Sequence, residues 1–287
     1  MMKIASIDIG TNAVKSKIFK TTPTSIEFIE GIRSPIRLGT DVFTNGLLAK
    51  DKLDLLVKTL RKYQKNFIKN KISMYEIVAT SAFRDTQNSE EARRYVENKI
   101  EHPIRIISGL EEAKLIRFHP KAQSRSSKVY VDVGGGSTEI YIYENNKHII
   151  QSFQLGAVRG MLSKDDPKEW LRLKKWLKKQ SKTTTLVGLG GNIRSFLSLN
   201  NTKKMKSENF IKEITNLNSL DVGTKISAYK LQKDRADVID FALQIYIEII
   251  KILKVQEIKS TKWGVSDSIA VKTFHELYSK KISISRS

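Results

Sequence analysis

The chain contains one unit twice. Ile4-Ala5-Ser6-Ile7-Asp8-Ile9-Gly10-Thr11-Asn12-Ala13 runs from an apolar strand into an Asp-x-Gly turn, and Val14 to Phe19 resumes as a second strand. Val131-Asp132-Val133-Gly134-Gly135-Gly136-Ser137-Thr138-Glu139 repeats the pattern, with Asp132 standing 124 residues after Asp8 and Gly134 in the place of Gly10. Glycines and small hydroxyls at a strand end let backbone N–H groups come close to an anion, so each unit reads as a hairpin phosphate cradle flanked by carboxylates. A tandem of this kind predicts two like α/β domains facing each other across a cleft, with both cradles in one site.

Length and composition agree with that prediction. At 287 residues the chain can form two domains, each with its own core. The boundary is expected between 123 and 124, giving domains 1–123 and 124–287, with the last helix a candidate to pack back on the first. The absence of cysteine removes disulfides, thiol nucleophiles and cysteine zinc sites, and is compatible with a reducing cytoplasm. His102, His119, His148 and His275 lack metal-ligand spacing, so any metal is expected to be a hard cation on oxygen ligands. No leader pattern and no run of about 20 uncharged apolar residues is visible, so a soluble cytoplasmic protein without membrane contact is expected. The net charge of +21 attracts polyanions in general. Without a helix-turn-helix, zinc finger or RNP-like pattern, no specific nucleic-acid partner is expected.

In chain order, Ser25 to Arg33 continues the first meander, and Asp51 to Asn70 carries an apolar stripe at Leu53, Leu56, Val57, Leu60, Tyr63 and Phe67, one face of a helix. Glu76 to Thr80 is a short buried strand that feeds Ser81-Ala82-Phe83-Arg84-Asp85, a strand-end loop where Arg84 can meet a phosphate or simply pair with Asp85. Asn88 is expected to cap the next helix. Ser108 and Glu111 have capping-box spacing, which leaves Glu112 without a local duty and suited to a general base. Thr183 to Gly191 reads as a buried strand ending in a glycine turn, and about 235–253 as one long core helix. Trp170, Leu173 and Leu177 mark a short amphipathic helix among lysines.

The order Asp8-x-Gly-Thr-Asn, Thr80-Ser81-Ala82-x-Arg84-Asp85, Ser108-Gly109-x-Glu111-Glu112-Ala113 and Asp132-x-Gly-Gly-Gly-Ser-Thr-Glu139 resembles the exopolyphosphatase and guanosine pentaphosphate phosphatase (Ppx/GppA) family, in a short form. Leu155-Gly156-Ala157-Val158-Arg159, Gly188-Leu189-Gly190-Gly191-Asn192 and Arg235-Ala236-Asp237-Val238-Ile239 continue the likeness. The resemblance implies two actin-like (ribonuclease H-like) domains and a hydrolase of terminal phosphates in polyphosphate or guanosine pentaphosphate, the latter a signal of the stringent response. It implies Glu112 as the group that activates water and Asp132, Glu139 and Asp8 as ligands of Mg²⁺ or Mn²⁺. Phosphate binding falls to Thr11, Asn12, Arg84, Gly134, Gly135, Gly136, Ser137 and Gly191. A homodimer is also implied.

Two departures stand out. Trp263-Gly264-Val265-Ser266-Asp267-Ser268 replaces a Gly-Leu-Arg-Glu-Gly-like turn, and Gly191-Asn192 replaces Gly-Thr. Both bear on substrate preference more than on chemistry. An ATP-dependent kinase of the same superfold and a non-catalytic polyanion-binding regulator are the rival readings. The second is disfavoured because a pure binder of polyanions gains nothing from clustered carboxylates.

Overall fold

A computed structural model describes residues 1–124 and 127–284, with side chains through Tyr278. By contacts the chain forms two units, Met1–Ser108 with the terminal helix from Val265, and Gly109–Gly264. The division therefore falls at 108/109, where the sequence suggested 123/124.

The first unit is built from β1 (Met2–Ile9), β2 (Val14–Thr22), β3 (Ser25–Ser34), α1 (Leu38–Asn45), α2 (Lys50–Lys69), β4 (Met74–Ala79), α3 (Ser81–Arg84), α4 (Ser89–Ile100) and β5 (Arg105–Ile106). Its sheet runs β3-β2-β1-β4-β5: an antiparallel meander on one side of β1, parallel strands on the other. β1 is buried from Ile4 to Ile9, as a nearly continuous apolar run in a central strand requires. The α2 stripe Leu53, Leu56, Val57, Leu60, Tyr63 and Phe67 is the buried face, each aliphatic contributing about 1.5–3 kcal/mol. Tyr63 also ties α2 to the first hairpin, its hydroxyl lying 3.1 Å from Val14 O and 2.8 Å from Ser34 Oγ. Asn88 sits before α4 but makes no side-chain cap. It clasps the loop ahead of α2 instead, Nδ2 donating to Leu48 O and Oδ1 accepting from Leu48 N–H, each at 3.0 Å.

The second unit comprises α5 (Gly109–Leu115), β6 (Lys128–Val133), β7 (Thr138–Glu144), β8 (Lys147–Phe153), α6 (Ala157–Met161), α7 (Pro167–Leu177), β9 (Thr185–Leu189), α8 (Gly191–Leu199), β10 (Lys204–Lys206), α9 (Ser207–Asn218), α10 (Val222–Ser227), α11 (Lys233–Ala236), α12 (Ile239–Leu253) and β11 (Glu257–Ser260). Its sheet order, β8-β7-β6-β9-β11-β10, repeats that of the first unit and adds β10 at the edge. Asp166 caps α7 by accepting from Lys168 N–H at 2.8 Å, with Pro167 in the first turn. The helix expected over about 235–253 is two helices, because a turn closed by Val238 N–H to Arg235 O separates α11 from α12. α12 is apolar but short, and no helix among the described residues is long and apolar enough to cross a membrane.

The last helix, α13 (Val265–Ile284), packs on β1 and β2. Its start is the divergent Trp263 to Ser268 segment. There Lys17 Nζ donates to Asp267 Oδ2 at 2.5 Å and Ser6 Oγ donates to Ser266 O at 2.7 Å.

Candidate active site

In the second unit the hairpin β6-turn-β7 is closed by Gly134 N–H to Ser137 O at 2.9 Å. The next three carbonyls are taken up on one side by the segment that enters α6. Ala157 N–H donates to Gly134 O at 3.0 Å, Val158 and Arg159 N–H to Gly135 O at 2.7 and 3.0 Å, and Arg159 Nε to Gly136 O at 3.0 Å. These peptide bonds are trans, so the N–H of each following residue points opposite to its carbonyl. Gly135, Gly136 and Ser137 therefore aim their amides away from α6. A row of amides aimed one way is a geometry able to bind an anion.

Asp132 and Glu139 face each other in register across β6 and β7 and so lie on the same face of the sheet. Like charges directly opposite destabilise a strand pair, and Glu139 is only 2% exposed. Ser152 Oγ donates to Glu139 Oε1 at 2.9 Å from β8. Among the described residues no group of three His, Cys, Asp or Glu side chains gathers to hold a metal. Two carboxylates are nevertheless what Mg²⁺ commonly takes from a protein, the rest of its shell being water and substrate phosphate, so the donor set fits a hard cation. Glu112, 9% exposed, lies on α5, which packs on β7 and β8. The second unit thus carries Glu112, Asp132, Glu139 and the glycine turn together.

β9 lies parallel to β6, with Leu189 beside Asp132. Gly190 follows with φ +82°, and a Cβ there would stand 2.7 Å from Asp132 Oδ1, so conformation and space both demand glycine. Gly191 opens α8 against Arg235, whose guanidinium nitrogens would be 2.4–2.5 Å from an added Cβ. Arg235 Nη1 donates to Asn192 Oδ1 at 2.8 Å, and Asn192 Nδ2 donates to Val133 O at 3.3 Å. The asparagine that departs from Gly-Thr is thus a buried bridge from α11 to the end of β6. Tyr246 on α12 places its hydroxyl 3.3 Å from both Val131 O and Leu189 O, and burial together with the Asp132 charge pushes its pKa well up.

The first unit follows the same plan. Gly10 N–H donates to Ala13 O at 3.2 Å, and the carbonyls of Thr11 and Asn12 accept from Gly39 N–H at 2.9 Å and Arg37 N–H at 3.0 Å. Here side chains furnish the turn: Thr11 Oγ1 and Ser81 Oγ are 2.5 Å apart, and Ser81 begins α3 just beyond β4. Asp8 is paired with Lys15 across the strands at 3.1 Å. Arg84 Nη1 donates to Ile107 O at 3.0 Å, and Nε lies 3.5 Å from Asp85 Oδ1. The pairing with Asp85 is therefore real, and Asp8, Thr11, Asn12 and Arg84 all belong to this unit.

Of the residues that shape these turns, Arg159, Gly156, Gly190 and Arg235 are not in the set drawn from sequence. All four stand in motifs visible there, but their importance comes from close approaches between distant segments.

Two units that share a five-strand sheet order, each with a glycine-bearing hairpin at the end of its central strand, define the actin-like (ribonuclease H-like) fold. The model of the Ppx/GppA phosphatase family matches residues 17–277, and the chain belongs to that family. Among solved structures, the Ppx/GppA family member of Aquifex aeolicus is 24% identical, with a TM-score of 0.77 over 96% of this chain and 98% of that one. The exopolyphosphatase of Cytophaga hutchinsonii ATCC 33406 is 18% identical, with a TM-score of 0.86 over 96% and 98%. An exopolyphosphatase-like protein is 20% identical, with a TM-score of 0.81 over 96% and 98%. At these identities the structural likeness concerns the fold.

Proposed function

We propose that this phosphatase releases the terminal phosphate of a phosphoanhydride chain, inorganic polyphosphate or guanosine pentaphosphate, by attack of water held by Glu112. The observation that carries the reading is the row of amides at Gly135, Gly136 and Ser137, in one unit with Glu112, Asp132 and Glu139. The names of the Cytophaga hutchinsonii exopolyphosphatase and the exopolyphosphatase-like protein support polyphosphate as the first substrate to try.

In this mechanism Glu112 accepts a proton from water as its oxygen bonds to the terminal phosphorus and the bridging P–O bond breaks. The amides of the glycine turn, with the Ser137 hydroxyl and Gly191 at the start of α8, hold the phosphate being transferred. Thr11, Asn12 and Arg84 are proposed as further phosphate contacts. Asp132 and Glu139 are the residues proposed to hold Mg²⁺ or Mn²⁺. We leave Asp8 out of that set, because Lys15 already neutralises it. A divalent cation, when bound, supplies charge neutralisation at the phosphate oxygens.

The deciding experiment is ³¹P NMR of the purified protein with Mg²⁺ and, separately, polyphosphate, guanosine pentaphosphate and ATP. Growth of orthophosphate at the expense of terminal phosphate from either of the first two is expected, and the faster of them names the substrate. Binding without orthophosphate from any of the three would replace this reading by a non-catalytic polyanion binder.

A further inference from the structure

A nest of amides is useful only if its peptide planes are held, and glycines hold nothing by themselves. In the second unit the holding is done from outside the turn, by the short segment Gly156 to Arg159. Gly156 has φ −162° and ψ 161°, an extended conformation open to any residue, so its backbone does not call for glycine. Space does: a Cβ would meet Gly135 C and O and Gly136 C, all at 2.6 Å. This approach lets the amides that follow it cap the Gly134 and Gly135 carbonyls. The Gly136 carbonyl is reached differently, by the Arg159 side chain through Nε at 3.0 Å. Two planes are thus fixed by backbone donors and the third, the Gly136–Ser137 plane, by a side chain.

We propose that Gly156 and Arg159 are positioning residues for the phosphate nest. Gly156 brings the capping segment close enough to fix all three planes, and Arg159 fixes the plane that aims the Ser137 amide. Neither needs to touch substrate. The inference rests on reading the glycine turn as the phosphate site.

The test is ¹⁵N amide NMR of the full chain titrated with inorganic orthophosphate in the presence of Mg²⁺. In the wild type the Gly135, Gly136 and Ser137 amides should all shift. In Arg159→Gln the Ser137 response should be lost while Gly135 and Gly136 keep theirs, with phosphate affinity down about 10-fold, the worth of one charge-assisted hydrogen bond. Arg159→Lys should restore part of the Ser137 response. Gly156→Ala, which leaves Arg159 in place, should weaken all three together, and it provides a second reading should Arg159→Gln not fold. An unchanged Ser137 response in Arg159→Gln, or three unchanged responses in Gly156→Ala, overturns the proposal. Loss of every phosphate-dependent shift in Arg159→Gln also overturns it, in favour of Arg159 as a direct ligand. Wild-type amides that stay still while phosphate shifts others would reject the nest itself, and with it this inference.

Discussion

Across the strands from Asp8, the first hairpin has Lys15, whereas at the matching place in the second hairpin Glu139 stands across from Asp132. Much around this difference is shared: the i to i+3 closure of the turn, carbonyls capped from the segment that enters the helix after the third strand, the parallel strand alongside, and a helix tyrosine braced on the hairpin. In the first unit the carboxylate's partner is a lysine of the chain itself. In the second, two carboxylates share a face, a donor set that a hard cation could use. The turns differ in the same sense. The first presents Thr11 and Asn12, and the second is glycine up to Ser137, which leaves backbone rather than side chains at its turn. One scaffold thus carries a turn furnished with side chains and another furnished with backbone amides, and in the proposed function it is the second that takes the metal and the reacting phosphate.

The largest effect is expected at the proposed base. Glu112→Gln should lower the rate of orthophosphate release by roughly 10²–10⁴-fold, while the neighbouring Glu111→Gln stays near wild type. The reverse pattern would move the chemistry to Glu111. Glu139→Lys rewrites the second hairpin in the terms of the first, creating an internal Asp132–Lys pair. It should abolish Mn²⁺ binding, read by electron paramagnetic resonance, and cost roughly 10²-fold or more in turnover, whereas Lys15→Glu should leave turnover less affected. If Mn²⁺ still bound to Glu139→Lys, the cation site would lie elsewhere.

The tyrosine braces should give smaller effects. Tyr63→Phe and Tyr246→Phe each remove a buried hydroxyl from its acceptors and should cost about 1 kcal/mol, measured by denaturant unfolding. Tyr246→Phe alone should also alter turnover, because its hydroxyl sits at the strand ends beside Asp132. The smallest effect concerns pH. In the second unit His119 accepts from Lys121 N–H through Nδ1 at 3.1 Å and lies 3.4 Å from Thr261 Oγ1 through Nε2. Burial, with Lys121 and Lys128 nearby, lowers its pKa from 6.5 to about 4. The unfolded chain therefore binds a proton that the folded chain refuses, so this contribution is complete above pH 6.5 and fades as pH falls toward 4. His119→Gln should flatten the unfolding midpoint over that window, and an unchanged slope would show that His119 is not the titrating group.

Much of this was legible from local pattern. The α2 stripe matched residue for residue, since a helical period on one apolar face has little freedom of interpretation. Both hairpins were visible as a repeat. The unit boundary was not, because α5 follows β5 in sequence while packing on β7 and β8, and no local signal says which sheet a seven-residue helix will choose. The break before α12 lacked a proline or glycine to announce it. Gly190 was overshadowed by Gly191, although its positive φ and its approach to Asp132 make it the more constrained. Asn192 looked like a departure in a loop and is a hydrogen-bonded bridge to Arg235, a pairing across 43 residues that spacing cannot announce.

The stitching of α13 to β1 and β2 has a consequence in time. On the ribosome the second unit is complete once Gly264 has emerged, whereas the first, although translated earlier, still lacks a wall. Ala270 covers Ile4 and Phe19, and Asp267 receives Lys17, so β1 and β2 must wait until α13 has been made, more than 240 residues later, before their core closes. A nascent chain stalled short of Val265 should therefore hold a folded second unit and an unfinished first one, open to proteases until α13 has been made.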